Sequence, residues 1–286
     1  MINVVSFSGG RTSAYLVHLM EEKRKKEGWE VAYIFMDTGA EHPKTYEFIR
    51  NIVKEWGINL ICLRVVFNPE LGKGNSYQEL SVDEIGYDLT VWREMLKKYS
   101  TPYNPGGGFC TKAMKTLQYN QYCDEHYGKE NYTTWLGMRA DEPKRLTYQK
   151  RVKYLADISD FDKDDILDWW DDQPFNLDLQ EYLGNCVFCI KKGVNKVALA
   201  AKDEPEMAKE FMDIVESPNV RIIEKRKAGP LQMYRGKLSL RQVIAAYEDV
   251  ERDELFWSLR SSKRYESGSC SESCEIFNDD QLDLWG

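Results

Sequence analysis

The chain has 286 residues, is 42% hydrophobic and carries a formal charge of −8. That is enough chain for one large domain or two modest ones with a real core, and the acidic balance argues against a generally basic nucleic-acid binder while leaving room for a local basic groove. No apolar run approaches the roughly 18 residues that would span a membrane, and no segment reads as a secretion signal. Seven cysteines in such a chain predict a cytoplasmic protein with thiols or metal ligands rather than a disulfide scaffold.

In chain order, "INVVSF" reads as a buried strand, and residues 11–27 as a helix with Leu16, Leu19 and Met20 on one face. "WEVAYIFMDTG" is a second strand ending at Asp37, "KTYEFIRNIVKEW" a second amphipathic helix, and "NLICLRVVF" a third strand. Residues 68–109 read as irregular, with "LGKGNSY" and "YNPGGG" as turns or loops. "TKAMKTLQYNQYCDEHY" is helical, "NYTTWLGM" a fourth strand and "VKYLADI" a fifth, before a short helix "KDDILDWW" that Asp162 is placed to cap. The alternation predicts an α/β fold, a Rossmann-like doubly wound parallel sheet of about five strands. The expected division is a nucleotide-binding α/β domain over residues 1–174 and a loop-rich, helical C-terminal appendage over residues 175–286.

The stretch "SGGRTS", Ser8 to Ser13, falls where the first strand meets the first helix. Ligands of parallel sheets sit at the carboxyl ends of strands. Gly9 and Gly10 let the backbone approach a ligand closely, the helix N-terminus favours an anion, and Ser8, Arg11, Thr12 and Ser13 add donors. The Gly-Lys-Ser/Thr ending of a Walker loop is missing. A capped turn with no ligand is the alternative reading of the same residues.

These residues resemble the PP-loop of the adenine nucleotide alpha-hydrolase superfamily, which includes ATP pyrophosphatases and phosphoadenosine phosphosulfate (PAPS) reductases. "DTGAEHPKTYEFI", Asp37 to Ile49, resembles a PAPS reductase segment position by position, and "GMRADEPKR", Gly137 to Arg145, resembles a further one, with Pro143 where serine is common. The resemblance implies an adenine nucleotide at the sheet edge, ATP with magnesium in preference to PAPS. Asp37, Thr38 and Gly39 would lie near its ribose and base, and Gly137, Arg139 and Arg145 near its phosphates or sulfate. His42 reads as an ordinary loop histidine. Arg11, Arg139 and Asp141 are the candidate catalytic residues.

"NCVFC" contains the pair Cys186 and Cys189, a spacing typical of metal or redox sites. "FCTKAMK" places Cys110 in a segment that resembles the Cys-Thr-x-x-x-Lys of PAPS reductases, with Phe109 where cluster-bearing members have the first of two cysteines. The resemblance implies a [4Fe-4S] cluster on Cys110, Cys186, Cys189 and one tail thiol, Cys274 ahead of Cys270. Structural zinc is the alternative for four thiolates. Cys62 reads as core and Cys123 as incidental. Lys112, Lys115 and the lysines of "KKGVNK" are candidates to line an anionic pocket together, although each alone reads as a solvated surface lysine.

Three functions stay open. One is ATP-dependent sulfur or nucleotidyl transfer with pyrophosphate release. Its partner would be a nucleic-acid acceptor, with phosphates held on "RIIEKRKAGPLQMYRGK", or a sulfur donor protein. The second is a sulfonucleotide reductase, although the Glu-Cys-Gly-x-His tail of such enzymes is absent. The third is a nucleotide-binding regulator with structural zinc.

Overall fold

The computed structural model describes residues 1–100, 103–104, 107–108, 110–221 and 238–261. Its centre is a six-stranded sheet. The strands are β1 (Ile2–Phe7), β2 (Val31–Asp37), β3 (Leu60–Val66), β4 (Ser76–Leu80), β7 (Tyr132–Leu136) and β8 (Val152–Tyr154), in the order β4-β3-β2-β1-β7-β8. A two-stranded ribbon, β5 (Tyr103–Asn104) and β6 (Gly107–Gly108), stands apart. All neighbours in the large sheet are parallel except β3 and β4.

Period-2 alternation in the strands explains why both faces are covered. Val5, Phe7, Tyr33 and Phe35 point to one face and pack with Leu16, Val17, Phe48, Ile49 and Trp170. Those partners come from α1 (Arg11–Glu27), α2 (Pro43–Trp56) and α5 (Lys163–Asp171). Val4, Ile34, Met36 and Leu63 point to the other face, against Tyr119, Tyr122 and Cys123 of α4 (Leu117–Tyr127). The doubly wound reading therefore holds. The third core joins α3 (Thr90–Tyr99) to the C-terminal helices α6 (Val194–Asp203), α7 (Pro205–Val215), α8 (Leu240–Ala246) and α9 (Arg252–Arg260). Within it, Trp92 meets Phe211 edge-on, and Phe188 of the CxxC turn packs on the same ring.

Local chemistry sets the helix ends. Pro43 opens α2, the His42 ring accepts from the Lys44 amide at 3.1 Å, and Gly57 closes the helix at φ +64°. Asp162 caps α5 through a reciprocal box with Asp165. His42 is thus a buried cap, and its Nε2 lies 3.1 Å from Glu204 at the start of α7, rather than an ordinary loop residue.

Residues 68–109 depart from the expected irregular stretch. They contain β4 and α3. β4 reads "SYQEL", polar and half exposed, because as an edge strand it buries little. It runs antiparallel because the short return from β3 leaves no room for a crossover helix. Cys123, read as incidental on a polar helix, is fully buried, and burial pushes its thiol up to about 12. Cys62 is core, as expected, its thiol raised to about 12 by burial and by the charge of Asp37. Among the described residues no helix is long and apolar enough to cross a membrane.

Candidate nucleotide site at the switch point

The chain leaves β1 toward β2 and β3 on one side and returns to β7 and β8 on the other. The crevice between the ends of β1 and β7 is therefore the topological switch point, where open α/β sheets hold ligands. Ser8 to Ser13 lie at the end of β1, and Gly137 to Arg145 follow the end of β7.

Two glycines make the crevice possible. Gly9 sits at φ +83°, and a Cβ there would meet Thr45 Cγ2 at 2.9 Å. A Cβ on Gly137 would stand 2.9 Å from Ser13 Cα and 3.1 Å from Ser13 N. Gly137 thus lets the strand end press against the first turn of α1. Gly10 is the N-cap of α1 and offers no side-chain cap, and the first turn carries no acidic residue. Such a helix end presents backbone N–H groups and the positive end of its dipole.

The hydroxyls of the loop are partly spent on its own shape. Ser13 is buried; its Oγ donates to Gly10 O at 2.9 Å and accepts from Ser8 Oγ at 2.9 Å and Ser8 N at 3.3 Å. Arg139, buried, bridges the two strand ends. Its Nη1 donates to Thr12 Oγ1 at 3.3 Å, while Nε and Nη2 donate to the Asp141 carboxylate at 2.8 and 3.0 Å. Arg145 pairs with Glu142, which also accepts from the Arg139 amide.

Arg11 turns away from Arg139. Its Nε donates to Asn176 Oδ1 at 2.8 Å, and its Nη2 donates to Leu177 O. It ties the segment after α5 over a cleft that Gly9, Gly10, Thr45, Leu177, Glu181 and Asn185 help to line. The Thr45 hydroxyl is buried beside this cleft with no hydrogen-bond partner among the described residues. Thr45 belongs to the site by position, although sequence reading had placed it only within a helix. Its signal is the Pro-x-Thr of "HPKT", which puts the hydroxyl in the first turn of α2.

Asp37, Thr38 and Gly39 form a buried, charged corner. Asp37 is fully buried; it accepts from Gly39 N at 2.9 Å, Tyr46 Oη at 3.0 Å and Arg64 Nε at 3.0 Å. Burial first, then the Glu41 charge, raise its carboxyl, and Arg64 opposes them. Burial also holds Tyr46 well above the usual phenol range. Thr38 Oγ1 donates to Glu41 at 2.7 Å and lies 3.3 Å from Cys186 Sγ. Gly39 adopts φ +66°, its carbonyl accepting from Asp88 N at 3.0 Å.

This corner is stitched to the CxxC turn. Glu41 and Cys186 form an antiparallel bridge, and Val187 N donates to Ala40 O at 3.0 Å. Lys115, buried in the π-turn after Cys110, stands 3.7 Å from Glu41 Oε1. Lys192 donates to Tyr182 O and Val187 O at 2.7 and 2.9 Å, and Lys196 to Glu181 at 3.2 Å. The solvated reading of these three lysines is corrected: each is buried where a carboxylate or carbonyls replace water.

Cys186 and Cys189 are buried and Cys110 half-buried in one core. The donors suit a soft metal in kind. In arrangement they do not yet make a site: among the described residues no three His, Cys, Asp or Glu side chains are gathered to hold a metal ion. Cys270 and Cys274 lie outside the described residues, as does nearly all of the basic run 221–237.

An open, mostly parallel sheet with a glycine turn and an uncapped helix start at its switch point defines a Rossmann-like protein of the PP-loop type. The family model described as phosphoadenosine phosphosulfate reductase domain matches residues 2–169, and the chain belongs to that family. It is also similar to the uncharacterized nin region protein ORF290 of Escherichia phage lambda. The two are 50% identical over 288 aligned positions, covering 99% of this chain and 98% of that protein.

Proposed function

We propose that the protein is an enzyme that binds an adenine nucleotide at the switch point, ATP in preference to a sulfonucleotide, and uses it in nucleotidyl or sulfur transfer with loss of pyrophosphate. The observation that carries this reading is the contact of Arg139 with Thr12 across the ends of β7 and β1, above a loop closed by Gly137. An arginine there meets the same anion as the α1 N-terminus, and its planar fork suits a phosphate. Asp141 orients that fork. Arg11 keeps the residue 176–185 segment over the cleft, which would limit water around the phosphates. Magnesium bound with ATP would neutralise charge developing on the leaving pyrophosphate.

Calorimetric titration of ATP and PAPS, with and without magnesium, tests the preference. ATP is expected to bind more tightly. Arg139→Gln is expected to weaken ATP by roughly 10–100-fold, since a hydrogen bond from a charged group contributes about 1.5–3 kcal/mol. Tighter PAPS binding with thiol-dependent sulfite release would instead make the protein a reductase. Equal ATP affinity in the variant would remove Arg139 from the site.

The thiols Cys110, Cys186 and Cys189, with a tail thiol from Cys274 or Cys270, are proposed as ligands of a [4Fe-4S] cluster, with zinc as the alternative. Such a cluster would supply sulfur or electrons beside the nucleotide. Iron, zinc and visible absorption are to be measured on anaerobically purified protein. Cys186→Ser is expected to lose the metal and Cys62→Ser to keep it. Metal-free wild-type protein, or metal retained by Cys186→Ser, would end this part of the reading.

A further inference from the structure

The edge of the sheet opposite the glycine loop holds a second concave site. Helix α4 and the starts of β7 and β8 enclose a cleft with about 640 Å³ of empty space, part of it open to solvent. Asn120 and Asp124 of α4, Lys129 of the next turn, Tyr132 of β7 and the pair Lys150–Arg151 line it.

Arg151 is held there by the backbone. Its φ of +63° is a conformation that side-chain-bearing residues seldom adopt. The turn is fixed on both sides: Thr134 N donates to Arg151 O at 2.9 Å, and Val152 N donates to Gln149 O at 3.2 Å. These bonds start the β7–β8 pairing, so the strained residue is over-determined by the sheet. The guanidinium carbon lies 5.4 Å from the centre of the Tyr132 ring.

Nε and Nη1 of Arg151 are buried with no hydrogen-bond acceptor among the described residues. A guanidinium cannot shed its charge, so desolvation without an acceptor is not relieved by a proton loss. The nearby carboxylates, Asp124 of the cleft lining among them, bond other groups. Asp124 accepts from Tyr132 Oη at 3.1 Å, and Glu130 pairs with Lys150 at 3.3 Å on the exposed rim. What the geometry lacks is an acceptor with negative charge, small enough for a cleft and fitted to donors on several sides.

We propose that this cleft binds a tetrahedral oxyanion of the phosphate class, independently of the nucleotide loop. Its oxygens would satisfy Arg151 Nε and Nη1, Lys129 would add charge from the mouth, and the Asn120 amide would donate from α4. The Tyr132 ring backs the guanidinium and fixes its plane. Inorganic phosphate and the terminal phosphate of a small metabolite share this chemistry.

The full chain is titrated calorimetrically with sodium phosphate, then with a phosphomonoester sugar, against sodium chloride at equal ionic strength. Wild type, Arg151→Gln, Lys129→Gln and Arg139→Gln are compared. Any phosphate taken up by the glycine loop is common to wild type and the first two variants, so their difference reports the second site. Arg151→Gln is expected to weaken this phosphate binding by at least about tenfold, and the exposed Lys129→Gln by a few-fold. Arg139→Gln, at the other edge, leaves the Arg151-dependent binding in place. Tighter binding of the phosphomonoester than of inorganic phosphate would identify a metabolite as the ligand within the proposed class. Phosphate affinity unchanged in both Arg151→Gln and Lys129→Gln would overturn the proposal. So would loss of the signal in Arg139→Gln alone, which would assign all phosphate binding to the nucleotide loop and leave the function proposed above intact.

Discussion

Gly137→Val is expected to weaken nucleotide binding by on the order of 100-fold while leaving the sheet folded. The new Cβ would stand 2.9 Å from Ser13 Cα and 3.1 Å from Ser13 N. Both are backbone atoms in the first turn of a 17-residue helix, so no side-chain rotation relieves the contact. Either α1 moves away from β7 or the end of β7 bends. Overpacking of this kind costs about 1–3 kcal/mol of stability. The larger effect falls on function, because in the proposed site the α1 N-terminus, Thr12 and Arg139 would converge on one anion. A shift near 1 Å in such a constellation costs on the order of 100-fold. Gly74→Ala is the control, since nothing lies within 4 Å of its Cβ position. Urea unfolding and ATP calorimetry on both variants check the result. Full ATP affinity in Gly137→Val would show that the crevice between β1 and β7 is not the nucleotide site.

Arg64→Met is expected to be the most destabilising single change at the site. Asp37 is fully buried, Glu41 lies close by, and Arg64 is the cation that faces the Asp37 carboxylate from β3. Arg64 also reaches Asp88 at 2.8 Å and so pins the turn before α3. Breaking a buried pair by removing one partner costs about 3–5 kcal/mol, because the other charge is left uncompensated. The pH dependence follows from the direction of the Asp37 shift. Its carboxyl is raised by burial and by Glu41 against the opposing effect of Arg64, so loss of Arg64 raises it further. The folded variant then binds a proton that the unfolded chain has released, and its stability falls as pH rises through the raised value. The deficit against wild type should therefore be greatest near neutral pH and shrink on acidification toward the ordinary aspartate range. Asp37→Asn/Arg64→Met should recover much of the loss. Urea midpoints across pH measure all three proteins. A deficit that does not depend on pH would mean that Arg64 acts through packing of its stem rather than its charge.

The strands and helices of the central sheet were legible from residue 2 to residue 171, with one gap. "INVVSF", "VAYIFMD" and "LICLRVV" are apolar on both faces, as a sheet covered on both sides requires. Asp162 marked the start of α5 because a cap acts through its nearest neighbours. The gap was β4 and α3. An edge strand with one neighbour buries too little to show an apolar pattern. The buried face of α3, Val91, Trp92, Met95 and Leu96, finds its partners in α7 and the CxxC turn, far along the chain.

The glycine loop, the alternation of β1, α1, β2, α2 and β3, and the Cys186–Cys189 pair were legible from local signals: a turn that only glycine makes easily, a period of two or 3.6, a spacing of thiols. Arg139 and Asp37 stood out only through the family resemblance. The partners of the charged groups are set by the tertiary structure. Arg11, expected near a phosphate, donates to Asn176 and Leu177, and Asp37, expected near a ribose, accepts from Arg64, Tyr46 and Gly39. Lys115, Lys192 and Lys196 read as solvent-facing and are buried. The physical reason is that a long polar side chain carries no mark of its partner. Its partner is set by which distant segment folding brings within about 3 Å, and burial then makes that choice costly to undo.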